Sequence, residues 1–283
     1  MRYESTVQRE LFDFEQQPPK TNLLRWAGSK ASVVSQISKY IDFTRDYLEP
    51  FCGSAALHFE GLPSRAFLND ANSKLISFYS ELASKPLEVW TWYDEQPVDE
   101  PTYYAIRDEY NLGRSATLEA AMFLYLNHFG WNGIYRTNNR GMYNTPFGAS
   151  SKPKRKVSFD ELQWYAERIP RNGLFSLDFE EMVRQIDPVN ACIFFDPPYY
   201  TGETRVFNEY GEVTFQSKDL VRLHALACEF AEKNSVIITY KDCEEFRNLF
   251  EDHIIEANQV SRIVGGKAER RKSELELVAK LGS

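Results

Sequence analysis

No apolar stretch of this 283-residue chain approaches the length of a membrane span, and its first twenty residues lack the apolar core of a signal peptide, so a cytoplasmic protein is expected. The four cysteines, Cys52, Cys192, Cys228 and Cys243, show neither CxxC spacing nor a dense framework, which disfavours both zinc and disulfides. His58, His128, His224 and His253 are equally scattered. Without HExxH or a Ser/His/Asp grammar, a metal-dependent or covalent hydrolase has no support. There is no internal repeat and no low-complexity tract. One further absence is local. Between residues 120 and 159 there is no Asp or Glu, while Arg136, Arg140, Lys152, Lys154, Arg155 and Lys156 all fall inside. In a chain of net charge −8 this is a basic island, and nucleic-acid binding follows the local field rather than the total.

What is present fits one large α/β domain with a smaller one attached, since 43% of the residues are hydrophobic and 26% charged. The chain is organised around Asp196-Pro197-Pro198-Tyr199, which follows the apolar run Ala191-Cys192-Ile193-Phe194-Phe195. Such a run reads as a buried strand with a rigid polar turn at its carboxyl edge, where open α/β sheets bind ligands. A carboxylate and a carbonyl fixed by prolines can accept both hydrogens of an exocyclic amino group, and the aromatic ring can stack on the base that carries it. An ordinary strand exit punctuated by prolines is the alternative.

Upstream, Leu23-Leu24-Arg25-Trp26-Ala27-Gly28-Ser29-Lys30 leads into apolar residues at helical spacing, Val33, Val34, Ile37 and Ile41. The segment from Tyr47 to Leu57, containing Glu49-Pro50-Phe51-Cys52-Gly53-Ser54-Ala55, reads as strand, tight turn and helix. About twenty residues on, a second strand over 65–69 ends at Asp70, where a Rossmann-type fold places its ribose-binding acid. A helix cap is the plainer reading of Asp70. With one firm glycine in the turn, a nucleoside without phosphates suits the site better than a pyrophosphate. Residues 86–129 are helical in pattern, with Trp90, Trp92, Tyr93, Tyr103, Tyr104 and Tyr110 assigned mostly to core. Residues 130–148 interleave Asn, Tyr, Arg and Gly, as suits a hairpin exposing base-reading groups. A capping box at Ser158–Glu161 opens a helix through 169. A strand over 173–177 ends at Asp178-Phe179, an acceptor and ring for an adenine, or equally a cap followed by a core Phe. The loop 201–214 is long enough for a lid. An amphipathic helix over 217–233 and strands over 235–240, 253–264 and 274–281 complete the chain, the last two flanking a basic loop with Lys267, Arg270, Arg271 and Lys272.

Together these stretches resemble the Dam-like, D12-class DNA adenine-N6 methyltransferases of the α group. RWAGSK is similar to that family's WAGGK motif, EPFCGSAAL to its EPFxGxG loop, and the segment ending at Asp70 to its second-strand acid. Residues 127–148 resemble its DNA-reading hairpin, and Asp196–Tyr199 match its catalytic tetrapeptide in full. Two positions depart from the pattern: Ser29 and Ala55 each replace a glycine.

The resemblance implies a class I methyltransferase fold, a seven-stranded and mostly parallel Rossmann-like sheet with helices on both faces. It also implies an arm at 1–20, a catalytic domain from 21–83 and 166–283, and a helical-plus-hairpin recognition domain at 84–165. S-adenosyl-L-methionine is the implied cofactor, with Glu49, Phe51 and Gly53 around its methionine portion, Asp70 at the ribose, Asp178 and Phe179 at the adenine, and Trp26 and Lys30 carried over from the first motif. Asp196, Pro197 and Tyr199 are the implied catalytic residues, acting on an adenine flipped from double-stranded DNA, with GATC the leading site. Arg136, Asn138, Asn139, Arg140, Tyr143 and Asn144 are the candidate base readers, and Lys152, Lys154, Arg155 and Lys156 the phosphate contacts. A monomer without metal is expected, with a cognate restriction enzyme as a conceivable partner. A DNA-binding regulator that has lost turnover, or an amino methyltransferase acting on cytosine, RNA or protein, are the rival readings. Intact Asp196–Tyr199 and Asp70 weigh against the first, and Asp at 196 with the hairpin against the second.

Overall fold

The computed structural model describes residues 18, 19, 22–26, 28–30, 33–149, 155–199, 215–263 and 271–283. The expectations placed on the N-terminal arm, on Lys152 and Lys154, on the loop 201–214 and on Lys267 and Arg270 lie outside the described residues.

Five short strands run parallel: β1 (Tyr47–Glu49), β2 (Ala66–Asn69), β3 (Leu174–Phe175), β4 (Cys192–Phe195) and β5 (Ser235–Lys241). Two longer strands follow, β6 (Ile254–Ile263) and β7 (Arg271–Leu281), with β7 inserted antiparallel between β5 and β6. The sheet order is β3-β2-β1-β4-β5-β7-β6. Arg271 and Lys272, expected in a loop, belong to β7 and pair with β6. The chain moves outward from β1 in one direction and restarts at β4 in the other, so the crevice between the carboxyl ends of β1 and β4 is the topological switch point.

Strand side chains alternate between two faces, and both are covered. Tyr47, Cys192, Phe194, Ile237 and Val278 enter one apolar core, while Leu48, Ile193, Phe195, Val236, Ile238 and Leu277 enter the other. The second core is closed by α8 (Phe179–Ile186), α9 (Ser217–Ala231) and α10 (Glu244–Phe250). The first is closed by α1 (Val34–Ile37), α2 (Ala56–Gly61), α3 (Ser73–Ser84) and the helices of the 84–165 segment.

That segment forms α4 (Pro86–Glu95), α5 (Glu100–Leu112), α6 (Ala116–Phe129) and α7 (Phe159–Arg168). The pattern read as continuous over 86–129 breaks twice for local reasons. Asp99 caps α5 by accepting from Thr102 N–H, with Pro101 in the first turn, and Gly113 (φ 77°) ends that helix in the left-handed region. Of the six aromatics assigned to core, Tyr93, Tyr103 and Tyr110 are buried, and Trp90, Trp92 and Tyr104 are partly buried against the same cluster. The Ser158/Glu161 capping box forms as read. The expected helix from residue 33 is one α-turn followed by a 3-10 turn at Ser38–Tyr40.

Candidate active site

All four residues of β4 are buried, and the chain leaves the sheet at Asp196. The carboxylate Oδ1 lies 2.7 Å from Lys30 Nζ and accepts from the Thr239 hydroxyl of neighbouring β5 at 2.9 Å. Lys30 Nζ also donates to Glu276 Oε2 on β7 at 2.8 Å, and the Tyr199 hydroxyl donates to that same oxygen. The Tyr199 ring meets Tyr240 edge-on with centroids 5.1 Å apart. Burial pushes the Asp196 carboxyl above the usual carboxylate range, the Lys30 ammonium opposes that, and the negative charge of Glu276 adds to it.

At the end of β1, Glu49 is buried and accepts from the Tyr47 hydroxyl at 3.1 Å. Burial holds its carboxyl well above the ordinary range, with the charges of Asp196 and Asp70 contributing. Asp70 follows β2 and accepts from Gly53 N–H (3.1 Å) and Asn72 N–H (2.9 Å). The cap of α3 is Asn72, which accepts from Lys74 and Leu75 N–H, so the capping reading of Asp70 is corrected: its carboxylate holds the loop after β1. Burial raises the Asp70 carboxyl as well. Phe51 packs among Phe179, Phe195 and Phe215 at 5.3, 6.4 and 6.0 Å. A Cβ at Gly53 would stand 2.8 Å from the Trp26 ring, so only glycine lets the loop lie against that indole.

Asp178 caps α8, accepting from Glu180 N–H at 3.0 Å, and it pairs with Arg222 at 2.6 Å. The Arg222 guanidinium in turn lies 4.8 Å from the centroid of the Phe179 ring. Cap and core Phe, the plainer of the two readings, therefore describe these residues in the free protein.

Residues 129–148 fold back on themselves, with antiparallel bridges at Gly130↔Phe147 and Thr137↔Tyr143. At the tip, Asn138 Oδ1 accepts from Arg140 and Met142 N–H at 2.9 and 3.1 Å, shaping the turn. Arg136 Nε donates across the hairpin to Asn144 Oδ1 at 2.7 Å. Tyr143 is 4% exposed, and its hydroxyl donates to the Leu126 carbonyl at 3.3 Å. The ring of this candidate base reader is turned into the core, where it meets Tyr110 and Tyr135. Asn139 and Arg140 are exposed at the tip. Arg155 pairs with Glu161 at 2.7 Å, and Lys156 donates to the Asp94 carbonyl. The hairpin base is seated on the first motif, where Asn127 exchanges hydrogen bonds with both backbone groups of Arg25 (2.9 and 2.7 Å) and Trp26 stacks 6.1 Å from Tyr135.

The family model for D12 class N6 adenine-specific DNA methyltransferases matches residues 26–263. The chain belongs to that family. It is 29% identical over 263 residues to a DNA adenine methylase of Vibrio cholerae serotype O1, covering 90% of this chain and 94% of the relative. A DNA adenine methylase of Escherichia coli K12 is 29% identical over 262 residues, covering 90% and 93%. The Type II methyltransferase M1.LlaDCHI of Lactococcus lactis subsp. cremoris is 28% identical over 266 residues, covering 90% and 93%. The protein is a DNA adenine methyltransferase with the class I fold.

Both departures from the methyltransferase motifs have structural accounts. Ala55 sits at φ 51°, ψ 37°, a left-handed conformation that glycine adopts without strain and alanine does not. Ser29 Oγ is 2.7 Å from Ser54 Oγ, so the replacement of glycine ties the first motif to the loop after β1. Three residues bonded to the motif residues escaped sequence reading. Glu276 and Thr239 lie within segments read only as strands, and Asn69 binds the Pro50 and Leu177 carbonyls through Nδ2 (2.9 and 3.0 Å), joining two strand exits. Glu276 shares its strand with Arg271, Lys272, Glu274 and Lys280, so its charge did not single it out in the sequence. Among the described residues no group of His, Cys, Asp or Glu is placed to hold a metal ion, and no helix is long and apolar enough to cross a membrane.

Proposed function

We propose that this methyltransferase transfers a methyl group from S-adenosyl-L-methionine to N6 of an adenine flipped out of a short duplex site, with GATC the first candidate. The observation that carries the reading is the convergence of four carboxylates near the switch point, Glu49 and Glu276 buried and Asp70 and Asp196 partly buried. Glu49 lies near both Asp70 and Asp196, and Asp196 near Glu276, with the ammonium of Lys30 paired to the last two. Carboxyl groups whose ionised forms are disfavoured by burial and by one another gain from a cation placed among them, and the chemistry of this donor set fits a sulfonium-bearing nucleoside. Glu49, Phe51 and Gly53 with Trp26 would hold its amino-acid portion, Asp70 its ribose, and Phe179 its base, with Asp178 reaching it only on release from Arg222. Bound there, the cofactor supplies an electrophilic methyl group.

The chain's own residues do the rest. Extruding the adenine costs a few (~2–5) kcal/mol, which the stacking face of Tyr199 offsets. Asp196 and the Pro197 carbonyl accept the two amino hydrogens, so the nitrogen lone pair is drawn out of the ring and aligned for displacement. Asp196, its carboxyl raised by burial, then takes the proton released from the methylated amine. Residues 84–165 serve as the recognition region, with Arg140 at the exposed tip reading a guanine edge and Asn139 beside it. Arg136 and Asn144 hold the hairpin's shape. Lys152, Lys154, Arg155 and Lys156 supply phosphate contacts, which carry affinity without sequence information. A partner restriction enzyme fits this reading, one of the relatives being a Type II methyltransferase.

The test is incubation of the purified protein with methyl-labelled cofactor and duplex DNA, followed by digestion to nucleosides. Label in N6-methyladenine, confined to one short site, is expected. Label in cytosine, RNA or protein instead overturns the reading.

A further inference from the structure

Glu276 sits on β7, a strand to which no motif assigns chemistry, yet its carboxylate is where the site's contacts meet. It is 2% exposed and lies across from Lys241 of β5 on one side and Asn258 of β6 on the other. One oxygen, Oε2, accepts from both Lys30 Nζ (2.8 Å) and the Tyr199 hydroxyl. The same ammonium stands 2.7 Å from Asp196 Oδ1, so a single cation is shared between a buried and a partly buried carboxylate.

We propose that Glu276 is a positioning residue for methyl transfer, anchoring the Tyr199 ring for stacking and giving Lys30 an alternative counter-ion so that Asp196 is released to the target amino group. The proposal rests on the reading of function given above. An Asp196 oxygen committed to an ammonium and to the Thr239 hydroxyl is a poor acceptor for a neutral amine, because charge-assisted bonds are roughly twice as strong as neutral ones. A second carboxylate within 2.8 Å of the same ammonium removes that obstacle: the ammonium shifts toward Glu276 without losing a charged partner. The hydroxyl anchor acts on Tyr199 from the opposite end to Pro198, and Tyr240 packs edge-on beside the ring. A ring held this way loses little further freedom when a base stacks on it.

The charged and titratable groups facing Asp196 are Lys30 from the first motif, Glu49 from β1 and Glu276 from β7, with Tyr199 reaching it through Glu276. Of these, Glu276 disfavours the Asp196 anion and Lys30 favours it. Neutralising Glu276 removes one repulsion and leaves Lys30 wholly to Asp196. Both changes favour the ionised carboxylate, so its titration moves to lower pH while its availability to the amine falls.

The experiment compares wild type, Glu276→Gln, Tyr199→Phe and the double variant for kcat, for KM of cofactor and DNA, and for the pH profile, with thermal melting as the control for folding. Glu276→Gln is expected to lower kcat by about 10²-fold, the scale of a small misplacement, with KM for the cofactor unchanged and the acid limb displaced to lower pH. Tyr199→Phe, which removes only a hydroxyl, should lower kcat less and leave the acid limb in place. The double variant should lose less than the product of the two single losses, since the residues share one contact. An unshifted acid limb with wild-type kcat in Glu276→Gln overturns the proposal, as does a loss explained by the melting temperature or confined to KM. Unchanged kcat in Tyr199→Phe overturns it even where Glu276→Gln does not fold. A wild type that methylates no DNA overturns the reading of function itself, whereas an active wild type with an indifferent Glu276→Gln overturns this inference alone.

Discussion

The strand-exit site and the hairpin are both built from motif residues, yet they use them differently. At the exits of β1, β2 and β4 the motif residues bond to one another and to the sheet: Asp196 to Lys30 and Thr239, Asp70 to Gly53, Glu49 to Tyr47. Position and chemistry coincide there, because a buried carboxylate must be bonded to persist. In the hairpin the two duties are divided. Asn138, Arg136, Asn144 and Tyr143 are spent on turn, cross-hairpin bond and core, while Asn139 and Arg140 stand exposed. Motif residues at the strand exits are therefore bonded to one another, whereas most of those in the surface hairpin are committed to its shape and leave two exposed at the tip.

The sharpest way to break this contrast is at its buried end. Asp196→Ala should lower methyl transfer by at least about 10³-fold while cofactor binding survives, because the lost contacts are to the target base. Retention of substantial transfer of labelled methyl to DNA overturns the role. In the hairpin, Tyr143→Ala should act as a core deletion, costing about 3–5 kcal/mol of stability in chemical denaturation and weakening all DNA sequences alike. A variant of normal stability that changes only site preference would return Tyr143 to the readers. Asp70→Ala should weaken cofactor binding by about 1.5–3 kcal/mol, seen by calorimetry, part of the loss arising from the freed Gly53 loop. Unchanged affinity would remove Asp70 from the cofactor site.

At the exposed end, Arg140→Ala should cost about 1–3 kcal/mol of discrimination at one base pair, measured over every single-base variant of the preferred site. Equal losses at cognate and variant sites move Arg140 to the phosphate contacts and point to Asn139. The smallest effect expected is at Ala55: Ala55→Gly should raise stability by up to about 1 kcal/mol by relieving the left-handed alanine. A destabilised Ala55→Gly would show that the methyl group's packing outweighs the strain.

Much of this was legible in the chain. The apolar runs gave the strands within a few residues, and the capping box at Ser158 formed as spaced, because both are local consequences of burial period and hydrogen-bond geometry. The cap at Asn72 was missed because more than one polar residue near that helix start admits a capping register, and the break at Gly113 because helical spacing of apolar residues resumes just beyond it. Glu276 was illegible in a stronger sense. Nothing near it in sequence signals a site, and its partners lie 77 and 246 positions away.

The amino-acid sequence by itself determined the family, the strand and helix content, the Asp196–Tyr199 turn and the basic, acid-free stretch, because each is a matter of residue type at fixed local spacing. Only the tertiary structure decided that Asp178 caps and pairs, that Tyr143 points inward, that Ala55 is held left-handed and that Lys30 is divided between Asp196 and Glu276. These outcomes depend on contacts between elements far apart in the chain. The antiparallel insertion of β7 next to β5, with the first motif seated against the strand ends, brings a carboxylate at position 276 beside the lysine at position 30.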